Sequence, residues 1–140
     1  MMNVRIATLA DAPVLAHLLE DFNGPPMTPV KAAARMRACE GIETTVLAEI
    51  DGTAAGFACL RVIPSMSDNV PYAELTELYV DVTYRRQGIG RALMAYVETL
   101  ARARGADEML LLVSFNNPDG QAFYRALGYG DYALVMRRRL

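Results

Sequence analysis

One stretch decides the organisation of this chain: Glu77-Leu78-Tyr79-Val80, followed by Arg85-Arg86-Gln87-Gly88-Ile89-Gly90-Arg91. An apolar, β-branched and aromatic run ends near Val82, a polar loop follows, and a helical pattern opens at Ala92. A strand, a glycine turn and a helix start form an anion site, because the helix N-terminus offers unpaired N–H groups and a positive dipole end. Glycines let the backbone approach a ligand, and arginine suits phosphate. The stretch therefore predicts a pyrophosphate cradle, although an ordinary strand–turn–helix with solvated arginines shows the same pattern.

The composition is that of an ordinary globular chain. Its 140 residues, 53% hydrophobic and 21% charged, suit one domain over residues 1–140. The net charge of −2 gives no argument for nucleic acid. The N-terminus lacks a signal peptide's apolar core, and no apolar run reaches the length of a membrane span. Cys39 and Cys59 are therefore expected to be reduced buried thiols, and we expect a cytoplasmic protein without nucleic-acid or membrane partners.

The apolar periodicity and the turn residues predict ten elements in the order β α α β β β α β α β. Strands are expected over residues 3–8, 44–50, 53–63, 72–82, 109–114 and 132–138, and helices over 12–22, 30–40, the glycine turn to about 104, and 121–127. Asp51-Gly52 between apolar runs is a strong hairpin signal. The strand–helix–strand unit over residues 72–114 calls for a parallel pair with a right-handed crossover. Together these features predict a mixed sheet flanked by helices, an α/β or α+β sandwich.

The histidine content argues against a metal site. His17 is the only histidine, and it falls between the apolar positions of the first helix, which indicates a surface place. A histidine-based site would need several carboxylate or thiolate partners, and these do not cluster near it in the sequence. No metal is predicted.

Two spaced motifs resemble those of the GNAT superfamily of acetyl-CoA-dependent N-acetyltransferases. Arg85, Gly88 and Gly90 meet the family pattern of Arg or Gln, two residues, Gly, one residue, Gly or Ala. The second motif, an Asn, a Tyr seven residues later and a Gly four further on followed by an aromatic, is met by Asn117, Tyr124, Gly128 and Tyr129. Gly120 departs from this motif, because the family usually has a small helix former there, and it should weaken the helix start by up to about 1 kcal/mol. The resemblance covers essentially the whole chain and implies a GNAT-like fold with a centrally splayed sheet and helices on both faces.

The resemblance implies acetyl-CoA as co-substrate. The loop from Arg85 to Arg91 would cradle the pyrophosphate, and backbone groups of Leu78 and Val80 would bind the pantetheine arm and the thioester like an added strand. An N–H near Leu78 would stabilise the developing oxyanion. Asn117 would contact the pantetheine arm or hold the splayed strand. The cofactor-binding set implied is Leu78, Tyr79, Val80, Arg85, Arg86, Gln87, Gly88, Ile89, Gly90, Arg91, Asn117 and Tyr124.

The same resemblance assigns two catalytic side chains. Tyr124 stands where the family places its general acid, and the alternative is a core aromatic whose hydroxyl only forms a hydrogen bond. An alkyl amine is mostly protonated at neutral pH, so a base or a water relay is needed. Glu77 is the candidate base and Glu74 its alternative, on opposite faces if the strand is regular; a bulge would undo that inference. Either carboxylate could instead recognise a cationic substrate, and Tyr79 either lines the acceptor pocket or only packs.

The leading functional hypothesis is acetyl transfer to a primary amine by direct attack in a ternary complex, since neither cysteine lies in the motifs. Carboxylates near the expected mouth (Asp68, Glu74 and Glu77) favour a small cationic amine, with a protein or peptide amine as an alternative. A CoA-binding regulatory module without turnover is the alternative from a different class. Many relatives are dimers, so a homodimer stays open.

Overall fold

The computed structural model describes residues 1–140. Its centre is a five-stranded sheet in which the strands lie side by side in the order in which they occur in the chain. Its strands are β1 (Met2–Ile6), β2 (Glu43–Ile50), β3 (Thr53–Ile63), β4 (Tyr72–Val80) and β5 (Met109–Leu111). Its helices are α1 (Ala12–Asn23), α2 (Pro29–Ala38), α3 (Ile89–Ala103) and α4 (Pro118–Ala126), with 3-10 turns at Leu9–Asp11 and Val82–Tyr84. Strands β1 to β4 pair antiparallel and β5 pairs parallel with β4, so the mixed sheet is confirmed.

The local signals that punctuate the sequence act as expected. Asp51 and Gly52 both adopt positive φ, which lets β2 turn directly into β3. Thr28 caps α2 by accepting a hydrogen bond from the Lys31 N–H at 3.2 Å, and Pro29 occupies the first helical position, where no N–H is needed. These caps and turns fix the element boundaries on the N-terminal side of the site.

Helices cover both faces of the sheet. Helix α3 buries its apolar face against the strands, and Leu93, Met94 and Val97 are almost inaccessible in the larger core cluster. On the opposite face, Leu15 and Leu18 of α1 pack against the strands in a second cluster, and α2 packs on α1. The sheet is thus the middle layer of three, and its β4 strand lies between the two cores. No helix is long and apolar enough to cross a membrane.

The sheet is splayed at its centre. Strand β5 pairs with β4 only where Ala73, Glu74 and Leu75 face its three residues. Beyond Leu75, β4 continues for five more residues that have no partner on the β5 side, and the last four of them, Glu77 to Val80, pair with β3. The expected central splay is therefore present, and it exposes one backbone edge of β4.

Three expectations about the C-terminal third are wrong. Residues 132–138 form no strand, and residues 131–140 belong to no regular element and make no backbone hydrogen bond. Strand β5 ends at Leu111 rather than at residue 114, and α4 begins at Pro118 rather than at residue 121. A strand needs a paired neighbour, and apolar sequence alone does not supply one. The short β5 offers too little edge to order the following segment.

Candidate active site

A β-bulge lies in the centre of the stretch that the motifs single out. Cys59 and Leu60 are consecutive on β3, yet they face Glu77 and Leu75 on β4, so Thr76 is the extra residue. A bulge interrupts the alternation of side chains between the two faces. Glu74 and Glu77 therefore come to lie on the α1 face of the sheet together, where a regular strand would have separated them. The expectation of opposite faces, conditional on a regular strand, does not hold here.

The bulge is held by a side chain that the motifs do not contain. The Thr76 hydroxyl donates to Glu43 Oε1 at 2.6 Å, and Arg61 Nε donates to the same oxygen at 3.0 Å. The Glu43 side chain is largely buried. Three carboxylates, those of Glu43, Glu74 and Glu77, thus share this face with one guanidinium. The surplus of negative charge suits a cationic acceptor.

The Glu77 carboxyl lies in surroundings that favour its protonated form. It is half-buried, and that burial is the main cause of a raised pKa of its carboxyl; the nearby charge of Glu43 raises the pKa further. A carboxylate whose pKa moves toward neutral binds a proton more readily, which is what removing a proton from an amine requires. Burial and the negative charge of Glu43 therefore act in the same direction on the pKa of Glu77.

The Tyr124 side chain is partly buried among aromatic rings. Its ring packs edge-on against Phe123 and Tyr129, with centroid distances of 5.1 and 6.0 Å. Burial raises the pKa of the Tyr124 hydroxyl, so the proton is retained at neutral pH. The ring also packs against the larger core cluster.

The loop before α3 has the backbone form of an anion cradle. Gly88 is the N-cap of α3 and adopts the left-handed conformation at φ 80°, and Arg86 has φ 66°. The first N–H groups of a helix lack partners within the helix, so those of α3 are available to a ligand. Arg86, Gln87 and Arg91 are exposed around this helix start. Backbone donors and exposed positive charge therefore lie close together at the start of α3.

Other members of the loop are engaged within the protein. Arg85 Nε donates to the Val80 carbonyl at 2.9 Å, and its guanidinium lies over the Tyr79 ring at 5.7 Å. The Ile89 side chain is buried in the core, so only its backbone faces outward. A Cβ on Gly90 would lie 3.2 Å from the Phe123 ring, so Gly90 is needed for α3 to pack against α4. The structure thus gives Gly90 a packing reason besides close approach to a ligand.

Asn117 is the N-cap of α4. Its Oδ1 accepts from the Gly120 N–H at 2.9 Å. A Cβ at position 120 would lie 2.4 Å from Asn117 Nδ2, so an alanine here would require the Asn117 side chain to shift from this cap. The cap fixes the start of the helix that carries Tyr124.

The cysteines are free, and one of them lies beside the site. Cys59 faces Glu77 across the β3–β4 pair, which spacing in the sequence did not indicate. Burial raises the pKa of its thiol to about 12, so it remains protonated. A buried, neutral thiol is a poor nucleophile, which supports direct transfer without a cysteine intermediate.

The surroundings of His17 differ from the sequence prediction, because two carboxylates lie close to it in the folded chain. His17 and Asp21 on α1 and Asp81 after β4 bring their ligand atoms within 4.8 Å of one another. His17 and Asp21 are exposed, and the imidazole lies 3.5 Å from the Asp21 carboxylate. The cluster forms because the end of α1 lies over the end of β4, where Phe22 and Tyr79 stack at 5.3 Å.

Sequence reasoning missed Glu43, Thr76 and the α1 residues near Tyr79. None belongs to a motif, and each reaches the site through pairing of distant segments. The bulge has no local signature here, since Thr76 suits a regular strand equally well. Only the register of β3 against β4 shows it.

The sequence model of the acetyltransferase (GNAT) family matches residues 13–129. This chain belongs to that family, as the motifs and the splayed sheet indicate. Mycothiol acetyltransferase of Clavibacter michiganensis subsp. michiganensis is 35% identical over 91 residues, which are 65% of this chain and 28% of that protein. The [ribosomal protein bS18]-alanine N-acetyltransferase of Escherichia coli K12 is 32% identical over 81 residues, 58% of this chain and 51% of that protein.

An aminoglycoside N(6')-acetyltransferase type 1 of Klebsiella aerogenes is 36% identical over 89 residues, 61% of this chain and 57% of that protein. The chain thus spans less than two thirds of the length of each of these relatives.

Solved structures share the whole fold. A Trypanosoma brucei acetyltransferase superposes with a TM-score of 0.86 at 23% identity over 100% of both chains. An aminoglycoside N-acetyltransferase in complex with CoA superposes with a TM-score of 0.87 at 23% identity, over 100% of this chain and 95% of the other.

Proposed function

We propose that this protein transfers the acetyl group of acetyl-CoA to a primary amine by direct attack in a ternary complex. One observation carries the proposal. Where β4 leaves β5, the unpaired edge of β4 lies between the α3 anion cradle and the carboxylates on the α1 face. An extended cofactor arm can add to such an edge while its phosphates reach the helix start. Membership of the GNAT family supports the same reaction.

The residues present fit the co-substrate. The backbone N–H groups at the α3 start, with Arg86, Gln87 and Arg91, would hold the pyrophosphate. The β4 backbone from Leu78 to Val80 would hold the pantetheine arm. Bound acetyl-CoA supplies an activated acetyl group as a thioester.

The chain's own groups would move two protons. Glu77 accepts a proton from the acceptor amine, which is then a free nucleophile. Tyr124 Oη donates a proton toward the departing thiolate, as its retained hydroxyl proton allows. An N–H near Leu78 faces the developing negative charge.

A small cationic amine is the proposed acceptor. The acceptor face carries three carboxylates, those of Glu43, Glu74 and Glu77. Arg61 is the one cation that contacts them. Related proteins bear names of an aminoglycoside acetyltransferase and of a ribosomal-protein acetyltransferase, so both small and protein amines occur among the relatives. We propose a cytoplasmic location, since both cysteines are free, and no nucleic-acid partner, since the net charge is −2.

The test is a panel of amines with colorimetric detection of free CoA thiol. The panel contains polyamines, aminoglycosides, amino acids and peptides with free N-termini. We expect turnover with polycationic small amines. Turnover confined to peptides would contradict the small-amine assignment, and acetyl-CoA binding without any thiol release would favour the regulatory module.

Paired variants test the two proton-transfer roles. Glu77→Gln and Tyr124→Phe should each lower kcat by about a hundredfold, the scale of general acid–base catalysis. Glu74→Gln and Tyr96→Phe are the matched controls on the same strand face and in the same core cluster. If Glu74→Gln is the more damaging carboxylate variant, the base is Glu74; if neither matters, a water relay replaces both.

A further inference from the structure

Thr76 has no paired neighbour on either side of strand β4. Every other residue from Tyr72 to Val80 has a partner on β3, and Ala73 to Leu75 also have partners on β5. At Thr76 the β-bulge against β3 and the end of pairing with β5 fall at the same residue. The pairing of the strands therefore does not fix β4 at this position.

The Thr76 side chain supplies contacts that the strand pairing lacks. Its hydroxyl donates to Glu43 Oε1 at 2.6 Å, and the Cys59 carbonyl oxygen lies 3.4 Å from the same hydroxyl. A hydrogen bond to an ionised carboxylate is short and about twice as strong as one between neutral groups. One side chain thus ties β4 to the backbone of β3 and to a residue of β2.

Glu43 is itself held in place, so it can act as an anchor for Thr76. It lies directly across from Arg61 in the β2–β3 pair, and Arg61 Nε donates to its Oε1 at 3.0 Å. The Glu43 side chain is 12% exposed, so water competes little for this oxygen. Glu43 therefore holds the bulge from β2, a strand that has neighbours on both sides.

The two groups that the proposed reaction needs from β4 follow Thr76 directly in the chain. Glu77 would take a proton from the amine, and an N–H near Leu78 would face the developing oxyanion. Both act only if their positions relative to the thioester carbon are fixed, because a misplacement of about 1 Å can cost about a hundredfold in rate. The bulge that sets these positions is the one that the Thr76 hydroxyl holds.

Packing alone does not require a hydroxyl at this position. Valine has the same branched shape as threonine and suits a strand equally well. Thr45, on β2, provides the comparison, because its hydroxyl lies 3.5 Å from the neutral Cys59 thiol and not beside a carboxylate. The contact with an anchored carboxylate is therefore what distinguishes Thr76 from a threonine that only fills space.

We propose that Thr76 is a positioning residue for acetyl transfer: its hydroxyl, bound to Glu43, fixes the bulge from which the Glu77 carboxylate and the Leu78 N–H reach the reacting carbon. This inference rests on the proposed function. In this role Thr76 touches neither substrate and acts through the two residues that follow it. It therefore affects the rate of the bound complex and not the binding of acetyl-CoA or amine.

Steady-state kinetics tests this role with acetyl-CoA and the amine of the panel that the wild type acetylates fastest. Thr76→Val removes the hydroxyl and keeps the shape, so kcat should fall by about tenfold to a hundredfold, with both KM values close to those of the wild type. Thr76→Ser keeps the hydroxyl and should retain most of the activity. Thr45→Val is the matched control and should be unchanged. A fully active Thr76→Val, or a Thr76→Ser variant that is equally impaired, would overturn the proposal.

Nuclear magnetic resonance of the free ¹⁵N-labelled protein tests the same role without turnover. Thr76→Val should shift the amide resonances of Glu77 and Leu78 or broaden them by μs–ms exchange, and Thr45→Val should leave them in place. Unchanged resonances at both positions in Thr76→Val would overturn the positioning role. A wild type that acetylates no amine of the panel would overturn the proposed function and this role together, whereas an active wild type that Thr76→Val equals would overturn this role alone.

Discussion

The β2–β3 hairpin and the β5–tail region have similar apolar sequences but differ in burial, where the β5–tail region comprises β5, residues 112–115 and residues 131–140 (the tail). In the hairpin, Leu47, Phe57 and Leu60 are inaccessible, because strands pair on both sides and helices cover both faces. In the β5–tail region, Leu112 and Leu134 are exposed, although the sequence is equally apolar. The difference is the availability of a neighbour, since burial requires a second surface and a strand requires a paired edge. Apolar patterning tells which segments need a partner, and the topology tells which of them have one.

The largest contrast should appear on truncation of one leucine in each region. Leu60→Ala removes a fully buried side chain and should cost about 2–5 kcal/mol of unfolding free energy. Leu134→Ala removes an exposed side chain and should stay within about 0.5 kcal/mol of the wild type. Urea unfolding followed by circular dichroism measures both. Equal costs would mean that the tail is packed in the single chain.

Glycine replacement should give the next contrast. A Cβ on Gly56 would lie 2.6 Å from the Tyr79 carbonyl oxygen and 3.2 Å from Val80 Cα, so Gly56→Ala must push β3 from β4. We expect a loss of about 1–3 kcal/mol and weaker binding of acetyl-CoA in calorimetry, since the displaced backbone is the proposed cofactor edge.

Gly130→Ala is its control, because nothing lies within 4 Å of the added Cβ. That variant should be neutral or more stable by up to about 1 kcal/mol. If Gly56→Ala binds acetyl-CoA as the wild type does, the β4 edge near Val80 is not the cofactor site.

A smaller difference in the free energy of unfolding is expected between an ion pair beside the hairpin and one beside the tail. Arg5 binds Asp11 at 2.8 Å and lowers the pKa of that carboxyl to about 2. The folded pKa lies below the ordinary value of about 4, so this stabilisation is present above pH 4 and is lost as the pH falls toward 2. Asp11→Asn should remove on the order of 1 kcal/mol, since Arg5 is 37% exposed and solvent screens the pair.

The exposed Arg125–Asp131 pair beside the tail is the comparison. Asp131→Asn should change the unfolding free energy by less than about 0.5 kcal/mol at any pH, as expected of a surface pair. Urea titrations at pH 6 and pH 2.5 measure both variants. A pH dependence that Asp11→Asn leaves intact would show that other carboxyls cause it.

The smallest expected effect is a change in the pKa of Glu77, which lies on the paired strands β3 and β4. Glu43→Gln retains an acceptor for Thr76 and Arg61 but removes a charge that raises the pKa of Glu77. The pKa of Glu77 should fall but stay above its ordinary value, because burial remains the main cause of its rise. A carboxyl ¹³C titration of the free protein measures this shift. Asp131→Asn is the charge-matched control, and an unchanged Glu77 pKa would show that Glu43 only holds the bulge.

The sequence by itself determined the features that are encoded locally. The Asp51-Gly52 turn, the Thr28 cap, the glycine turn before α3 and the order of the first nine elements follow from backbone preferences of neighbouring residues. The two motifs indicated the family, which the family match confirms. The assignments of residues to cofactor and catalysis remain predictions.

Only the tertiary structure decided how distant segments meet. The bulge at Thr76, the placement of Glu43 and Cys59 beside Glu77, and the cap that explains Gly120 depend on cross-strand register or on contacts through space. The missing last strand has the same origin. Residues 132–138 carry the pattern of a strand, but the edge that would pair with it is not supplied by the fold of one chain. Local pattern sets what a segment can form, and pairing across the chain sets whether it does.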